Sequence, residues 1–168
     1  MVLERCIYAN LCLGQNGKQI EIFKIRTMKL DADKDLQSRL ACSQRDSYGH
    51  IINDPRVTQF GRFLRQYWVD ELPQFYNLTR GDLKLVGIRP QPSIVWATYP
   101  AEIMDRALKQ KPGLFGVQYA FDRTTSFDDN IKIMRDYLDR WEESPERTDR
   151  EYLTRILKNI LTGKVKSS

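Results

Sequence analysis

The sequence has few of the residues that build metal sites through sulfur or nitrogen. Its 168 residues include three cysteines, Cys6, Cys12 and Cys42, without a CxxC spacing, and one histidine, His50. Structural zinc needs four such ligands in a recognisable spacing, and a disulfide framework needs an even set of cysteines. Both are excluded, and the cysteines are expected to be reduced thiols in a cytosolic setting.

Long apolar segments and several well-known catalytic motifs are also absent. The longest apolar runs are as short as Leu85 to Ile88, whereas a membrane-spanning helix needs about 20 residues. No signal peptide begins the chain, so no segment is expected to cross a bilayer. The sequence contains no P-loop, no GxGxxG, no nucleophile elbow and no HExxH.

The composition is that of an ordinary globular domain with an excess of positive charge. Hydrophobic residues make up 41% and charged residues 29% of the chain, which predicts one domain over residues 1–168. A net charge of +5 favours an anionic partner, such as an anionic membrane surface or a phosphorylated substrate; a basic protein without an anionic ligand is the alternative. Nucleic acid is not expected, because a clustered basic helix and stacking aromatics are missing.

The hydrophobic patterns predict an α/β (α+β) fold with a small sheet and several amphipathic helices. Residues 5–28 are expected to form a hairpin around Asn16-Gly17, a dipeptide that favours tight turns, and a surface helix is expected within 29–53. Further strands are expected at 83–86 and 115–119. Further helices are expected from 60, from 70 to near 81, at 100–109, at 128–141 and, with Thr148 and Glu151 as a capping box, up to Gly163.

An aromatic face precedes the most informative part of the chain. Its residues recur at i, i+3, i+4, i+7 and i+8, which places them on one side of a helix: Phe60, Phe63, Leu64, Tyr67 and Trp68. Such a face is either ordinary core or a surface that rests on a membrane interface, where Trp and Tyr are favoured. The sequence leaves both interpretations open.

A pair of adjacent carboxylates, Asp70-Glu71, follows this face. Adjacent carboxylates are unfavourable unless a cation or hydrogen bonds take up their charge. Four arginines lie nearby in sequence: Arg56, Arg62, Arg65 and Arg89. The combination predicts a site for a phosphorylated ligand and a hard metal ion. The alternative is structural, with Asp70 as the N-cap of the next helix and Glu71 in its first turn.

Other basic residues fit the same prediction. Lys24 and Arg26 occupy alternate positions of the second hairpin strand and therefore share one face. Arg89 lies between Gly87 and Pro90, in a loop directly after a strand, where ligand contacts are frequent. Solvated surface charges are the alternative for both groups.

Four segments carry a resemblance that extends over nearly the whole chain. They are GQNGKQIEIFKIRTM (14–28), DPRVTQFGRFLR (54–65), DELPQFYNLTRGDLKLVGIRP (70–90) and KPGLFGVQ (111–118). In this order they resemble the bacterial sugar transferase family, monotopic phosphoglycosyltransferases that begin glycan assembly on polyprenol phosphate. Four positions depart from the usual pattern of the family. Ile25 stands where Phe is common, Ile88 where Pro is common, Trp68 where Ser is frequent and Phe115 where Thr is frequent.

The resemblance implies a function and a set of residue roles. Asp70 would be the nucleophile that attacks a UDP-sugar, releases UMP and passes the phosphosugar to polyprenol phosphate, such as undecaprenyl phosphate. Glu71 would bind Mg²⁺, and the phosphate-binding residues would be Lys24, Arg26, Arg56 and Arg89. The product would start a capsule, O-antigen or exopolysaccharide.

The resemblance also raises an expectation about the membrane. Family members carry a hydrophobic re-entrant helix before the first hairpin, and this sequence starts near the point where that helix ends. The expected location is the cytoplasmic face of the membrane, as a peripheral domain. The alternative is a catalytically idle paralogue that binds a nucleotide sugar or regulates, together with a membrane-anchoring partner.

Overall fold

The computed structural model describes residues 6–30, 32, 54–121 and 126–165. Two antiparallel strands, β1 (Ile7–Leu13) and β2 (Gln19–Ile25), form the predicted hairpin. At its turn, Asn16 and Gly17 have φ angles of 57° and 72°, which Asn and Gly tolerate better than other residues. The hairpin prediction is therefore confirmed, whereas the helix predicted within 29–53 falls almost entirely outside the described residues.

A second sheet has two parallel strands, β3 (Lys84–Gly87) and β4 (Gly113–Gly116). These strands approach each other through glycines, since a Cβ on Gly113 would lie 2.2 Å from the backbone nitrogen of Gly87. The predicted strand at 115–119 is shifted, because the chain leaves β4 at Gly116 and continues as a 3₁₀ turn over Val117–Ala120. The α/β class is confirmed, although the structure has two small sheets where one was expected.

Six helices occupy the described part of the chain. They are α1 (Gln59–Gln66), α2 (Gln74–Thr79), α3 (Ser93–Trp96), α4 (Ala101–Ala107), α5 (Phe127–Glu143) and α6 (Pro145–Leu161). None of these helices is long and apolar enough to cross a membrane. The α6 prediction was partly wrong: Pro145 occupies the first turn, and Thr148 donates its hydroxyl hydrogen to the Arg140 carbonyl at 3.0 Å instead of capping the helix.

The largest core cluster lies under the two long helices. Tyr137 of α5 and Tyr152 and Ile156 of α6 are fully buried there, with Ile103 of α4. A smaller cluster joins the inner face of the hairpin to Leu83 and Leu114 beside the second sheet. The two clusters hold the hairpin, α2 and the β3–β4 sheet together, and the candidate site lies where these elements meet.

Candidate active site

The Asp70-Glu71 pair lies in a tight turn between α1 and α2. The helix α1 begins at Thr58, whose hydroxyl accepts a hydrogen bond from the Gly61 N–H at 2.9 Å. The helix ends at Gln66, and two residues later Trp68 adopts a left-handed φ of 62°, a strained conformation for a bulky residue. The Trp68 ring packs against Tyr119 with ring centroids 4.7 Å apart, which holds the chain in this conformation.

After Trp68 the chain forms a 3₁₀ turn over Val69–Glu71, and both carboxylates are buried, with 2% of Asp70 and 5% of Glu71 exposed. The sequence predicted that a helix begins at Asp70. The helix α2 begins instead at Gln74, with Pro73 at its cap and no side-chain capping bond. The structural alternative, in which Asp70 caps this helix, is therefore wrong.

Glu71 is held by two cations from distant parts of the chain. Arg89 donates from both terminal nitrogens, at 2.6 Å to Oε1 and 2.9 Å to Oε2. Lys24 of β2 donates to Oε1 at 3.3 Å. A bidentate arginine is the strongest common partner of a carboxylate, so Glu71 is fixed in place.

These cations decide the ionisation of Glu71. Burial by itself raises the pKa of its carboxyl, but the charges of Arg89 and Lys24 and their hydrogen bonds outweigh burial and lower the pKa to about 2. Conversely, Glu71 raises the pKa of Arg89 against the effect of burial. The pair is therefore ionised on both sides at neutral pH.

Asp70 has a different environment, although it is the adjacent residue. Its Oδ1 atom is buried and has no hydrogen-bond partner in the described structure. Burial raises the pKa of its carboxyl, and repulsion from Glu71 adds to this, while the charges of Lys24 and Arg65 oppose it. Asp70 is thus a more basic carboxylate than an ordinary aspartate, with an oxygen free to form a new bond.

Arg65 belongs to this site, although among the arginines near the pair it was not one of the predicted phosphate-binding residues. Its Nε donates to the Thr27 hydroxyl at 3.0 Å. Burial lowers the pKa of the Arg65 guanidinium, and attraction to Asp70 opposes that shift most strongly among the charges. The sequence signal for this role was the cluster of arginines before Asp70-Glu71, but the cluster did not indicate which arginine lies at the site.

The other two predicted phosphate-binding residues are placed elsewhere. Arg56 is paired with Asp54, with its Nη2 2.6 Å from Oδ2, and it also donates to the Ala32 carbonyl at 3.1 Å. Arg26 lies just beyond β2, with its guanidinium 5.4 Å from the centre of the Tyr8 ring. Of the sequence-predicted set, the structure therefore brings Glu71, Lys24 and Arg89 into direct interaction. Asp70 lies near enough for the charges of Lys24 and Glu71 to shift its pKa.

Two residues outside the predicted set position the site. Asn77 is fully buried and joins α2 to β2, accepting from the Phe23 N–H at 3.1 Å and donating to the Glu21 carbonyl at 2.6 Å. Gly116 leaves room for the Arg89 side chain, because a Cβ there would lie 2.7 Å from its Cγ. Neither role was visible in the sequence, since both depend on contacts between distant segments.

The carboxylate oxygens at the site are too few to hold a hard divalent cation by themselves, but they suit one that is also bound by the phosphates of a substrate. Within the described residues, no three His, Cys, Asp or Glu side chains lie together as a metal cluster. Each carboxylate oxygen offers about two acceptor sites. The Oε2 atom of Glu71 accepts one described hydrogen bond, and Oδ1 of Asp70 accepts none. Mg²⁺ is commonly held by one or two carboxylates plus substrate phosphates, so these residues fit it.

A buried carboxylate pair among cations, on a mixed α/β fold, is compatible with binding of a phosphorylated ligand. Comparison with known proteins gives the family: the sequence model of the family described as bacterial sugar transferase matches residues 3–163. The chain belongs to this family.

Individual relatives agree with the assignment. The chain is similar to "Undecaprenyl-phosphate galactose phosphotransferase" of Salmonella typhimurium, with 34% identity over 80% of this chain and 29% of the relative. It is 30% identical to "UDP-galactose-lipid carrier transferase" of Erwinia amylovora, over 80% of this chain and 29% of the relative. It is 31% identical to "Exopolysaccharide production protein ExoY" of Rhizobium meliloti, over 80% and 62%. The chain therefore spans less than a third of the first two relatives.

Proposed function

We propose that this chain is the catalytic part of a transferase that moves a phosphosugar from a UDP-sugar to polyprenol phosphate. The observation that carries the proposal is the contrast between two adjacent buried carboxylates. Glu71 is neutralised by Arg89 and Lys24, whereas Asp70 keeps a buried oxygen without a partner in the described structure. One carboxylate is thus fixed for binding, and the other is left free to react.

In the first step, an oxygen of Asp70 attacks the phosphorus that bears the sugar. A bond forms between that phosphorus and the carboxylate, and the bond to the bridging oxygen breaks. UMP leaves with the bridging oxygen and its electron pair. The raised pKa of Asp70 supports this role, because a more basic carboxylate is a better nucleophile once it is ionised.

In the second step, an oxygen of polyprenol phosphate attacks the same phosphorus. The bond to Asp70 breaks, the carboxylate is restored, and a polyprenol diphosphosugar is released. We propose that Lys24, Arg65 and Arg89 balance the charge of the phosphates in both steps, since all three lie close to the carboxylate pair. Arg26 and Arg56 remain predicted phosphate ligands that would have to turn toward the site.

We also propose that Glu71 holds Mg²⁺ together with the donor phosphates. When bound, the ion would neutralise charge on the transferred group. Glu71→Gln weakens an oxygen ligand that Mg²⁺ prefers as a carboxylate. The amount of Mg²⁺ needed for half-maximal UMP release should therefore rise, or UMP release should cease; an unchanged Mg²⁺ titration would contradict the ligand role.

The names of the relatives support the choice of substrates. One refers to undecaprenyl phosphate, one to UDP-galactose and a lipid carrier, and one to exopolysaccharide production. By extension, the proposed donor is a UDP-sugar, the acceptor is a polyprenol phosphate, and the product begins an extracellular polysaccharide. Because the acceptor is a lipid, the proposed location is peripheral, at the cytoplasmic face of the membrane.

The experiment that tests the proposal uses the first step alone, without any lipid. The protein is incubated with Mg²⁺ and a panel of UDP-sugars, and its intact mass and the released nucleotide are measured. We expect the added mass of one phosphosugar and stoichiometric UMP. Asp70→Asn should lose both, whereas Asp105→Asn, at an exposed position of α4, should retain both.

Two outcomes would overturn the mechanism. Release of UDP in place of UMP would mean that the bond between the anomeric carbon and the phosphate oxygen breaks instead of the phosphoanhydride bond of the diphosphate. Undiminished UMP release by Asp70→Asn would remove Asp70 as the nucleophile. Binding of a UDP-sugar without any nucleotide release by the wild type would favour the idle paralogue.

A further inference from the structure

Gln74, the first residue of α2, is a fully buried amide without hydrogen bonds. Neither Oε1 nor Nε2 of its side chain has a partner within the part of the chain that the structure describes. A buried polar group without a partner destabilises a fold, and in native structures such a group usually has a reason. A methionine would occupy a similar volume without this penalty, so the amide needs an explanation.

The inner side of this segment is polar. Between residues 69 and 80 the structure buries four side chains: Asp70, Glu71, Gln74 and Asn77. Glu71 is bound by two cations, and Asn77 is bound to the backbone of β2. The unsatisfied atoms of the four belong to Asp70 and Gln74. They are complementary, since Oδ1 of Asp70 accepts hydrogen bonds and Nε2 of Gln74 donates them.

The outer side of the same segment is apolar. Leu72, Phe75 and Tyr76 are between 49% and 59% exposed, so polar side chains lie inside and apolar ones outside. This is the reverse of the usual pattern of a surface helix. The inward position of Gln74 is therefore not the result of ordinary amphipathic packing.

The aromatic face that precedes the pair is divided between core and surface. Leu64 is buried, and Trp68 packs against the main core cluster. Phe60, Phe63 and Tyr67 are exposed. The core interpretation is therefore right for the first two residues and wrong for the other three.

Gln74 follows Asp70 by four residues along a nearly continuous helical path. The chain forms a 3₁₀ turn over Val69–Glu71, and Leu72 and Pro73 keep right-handed helical dihedral angles up to the start of α2. Residues four apart on a helix are neighbours, with Cβ atoms about 5–6 Å apart. The turn and α2 also pack against the same strand, β2. This spacing places the Gln74 amide within reach of the Asp70 carboxylate.

We propose that Gln74 is a positioning residue, whose Nε2 amide turns to donate a hydrogen bond to the ionised Asp70 carboxylate. The bond fixes the orientation of the carboxylate toward the phosphorus, and a displacement is slowed strongly when its nucleophile is misplaced. Each carboxylate oxygen has about two acceptor sites, so a lone pair stays available for the attack. The inference rests on the proposed function, because it assigns to Gln74 a part in the reaction of Asp70.

The first test replaces the amide by an apolar side chain of similar length. Gln74→Met and the wild type are mixed with Mg²⁺ and a UDP-sugar without lipid, and the rate constant of UMP release is measured over a range of donor concentrations. The rate constant at saturation should fall at least about tenfold. The donor concentration that gives half of this rate should not change, because Gln74 acts on Asp70 and not on the donor.

Gln110→Met is the matched control. Gln110 is also a buried glutamine whose Nε2 atom has no partner in the described structure. It lies beside Tyr137 of α5, and its Oε1 accepts from the Tyr137 hydroxyl at 3.3 Å. Loss of that bond should lower the melting temperature, but the rate constant of UMP release should remain that of the wild type.

A second measurement requires neither activity nor a variant of Gln74. The side-chain amide signals of Gln74 are followed by NMR in the wild type, in Asp70→Asn and in Asp105→Asn. A hydrogen bond to a charged acceptor is stronger than one to a neutral acceptor and moves the donated proton to higher frequency. Asp70→Asn should therefore shift this signal to lower frequency, whereas Asp105→Asn, at an exposed position, should leave it in place.

Several results would overturn the inference. They are an unchanged rate constant in Gln74→Met, an equal loss in Gln110→Met, or an amide signal that does not respond to Asp70→Asn. An effect confined to the half-maximal donor concentration would also overturn it, since Gln74 would then contact the donor.

The two measurements keep this inference separate from the proposed function. UMP release by the wild type with an unresponsive amide signal rejects the positioning role alone. Absence of UMP release rejects the transferase, and the NMR comparison then decides whether Gln74 contacts Asp70. The NMR comparison also decides if Gln74→Met does not fold.

Discussion

Arg89 binds both oxygens of Glu71, at 2.6 and 2.9 Å, from a loop eighteen residues further along the chain. The same arginine donates to the Leu114 carbonyl at 3.2 Å, so one side chain connects the turn after α1, the loop after β3 and the strand β4. The site is therefore built into the packing of three segments, and its ion pair supports the fold as well as the proposed chemistry.

The first prediction concerns the stability that this pair provides. Glu71→Gln leaves the largely buried Arg89 and the half-buried Lys24 without a full counter-charge, which should lower the free energy of unfolding by about 3–5 kcal/mol. The control is Glu151→Gln, which breaks exposed ion pairs of α6 and should cost less than about 1 kcal/mol. Urea unfolding of both variants measures the difference. Equal, small losses of unfolding free energy in the two variants would mean that the ion pairs of Glu71 do not stabilise the fold.

The second prediction is that the proposed nucleophile destabilises the fold. Its burial raises the pKa of the Asp70 carboxyl, so the folded state holds the ionised form at a cost at neutral pH. Asp70→Asn removes that charge with little change of shape. The melting temperature should therefore rise while labelling by a UDP-sugar is lost. A lower melting temperature than that of Asp105→Asn would show that the Asp70 charge stabilises the protein.

The third prediction follows from the low pKa of Glu71. Its pKa of about 2 in the folded protein lies below its ordinary value of 4.5, so the unfolded chain binds more protons between these values. The stabilisation is complete above about pH 5 and is lost as the pH falls toward 2. Urea unfolding across this range should give a steeper loss of stability in the wild type than in Glu71→Gln. If stability fell with pH equally steeply in both proteins, the lowered pKa of Glu71 would be contradicted.

The fourth prediction concerns Asn77, the buried residue that joins α2 to β2 and so positions the site. Asn77→Ala removes its hydrogen bonds to β2 and to Asp82 and leaves the part-buried Phe23 N–H and Glu21 carbonyl without this partner. We expect a loss of at least about 2 kcal/mol and slower labelling of Asp70, because α2 no longer anchors the turn to β2. Asn159→Ala, which loses a bond to the Tyr119 carbonyl, is the control and should cost about 1 kcal/mol without slowing the labelling.

Local sequence signals were sufficient for several elements. Asn16-Gly17 predicted the hairpin, the apolar stripe of α5 predicted a long helix, and Gly163 predicted the end of α6. These signals succeed because turn geometry and helical periodicity depend on neighbouring residues. The starts of α2 and α6 were less well predicted, since Asp70 and Thr148 are good caps in isolation but make other contacts here.

By itself, the sequence determined that Asp70 and Glu71 are adjacent, that arginines surround them and that the segments follow the order of a known family. Only the tertiary structure decided which cations meet which carboxylate. Lys24 and Arg89 form ion pairs with Glu71. The charges of Arg65 and Asp70 attract each other, whereas Arg56 pairs with Asp54. Adjacent carboxylates acquire opposite pKa shifts because burial acts on both, whereas only Glu71 accepts hydrogen bonds from Arg89 and Lys24 in addition to their charge.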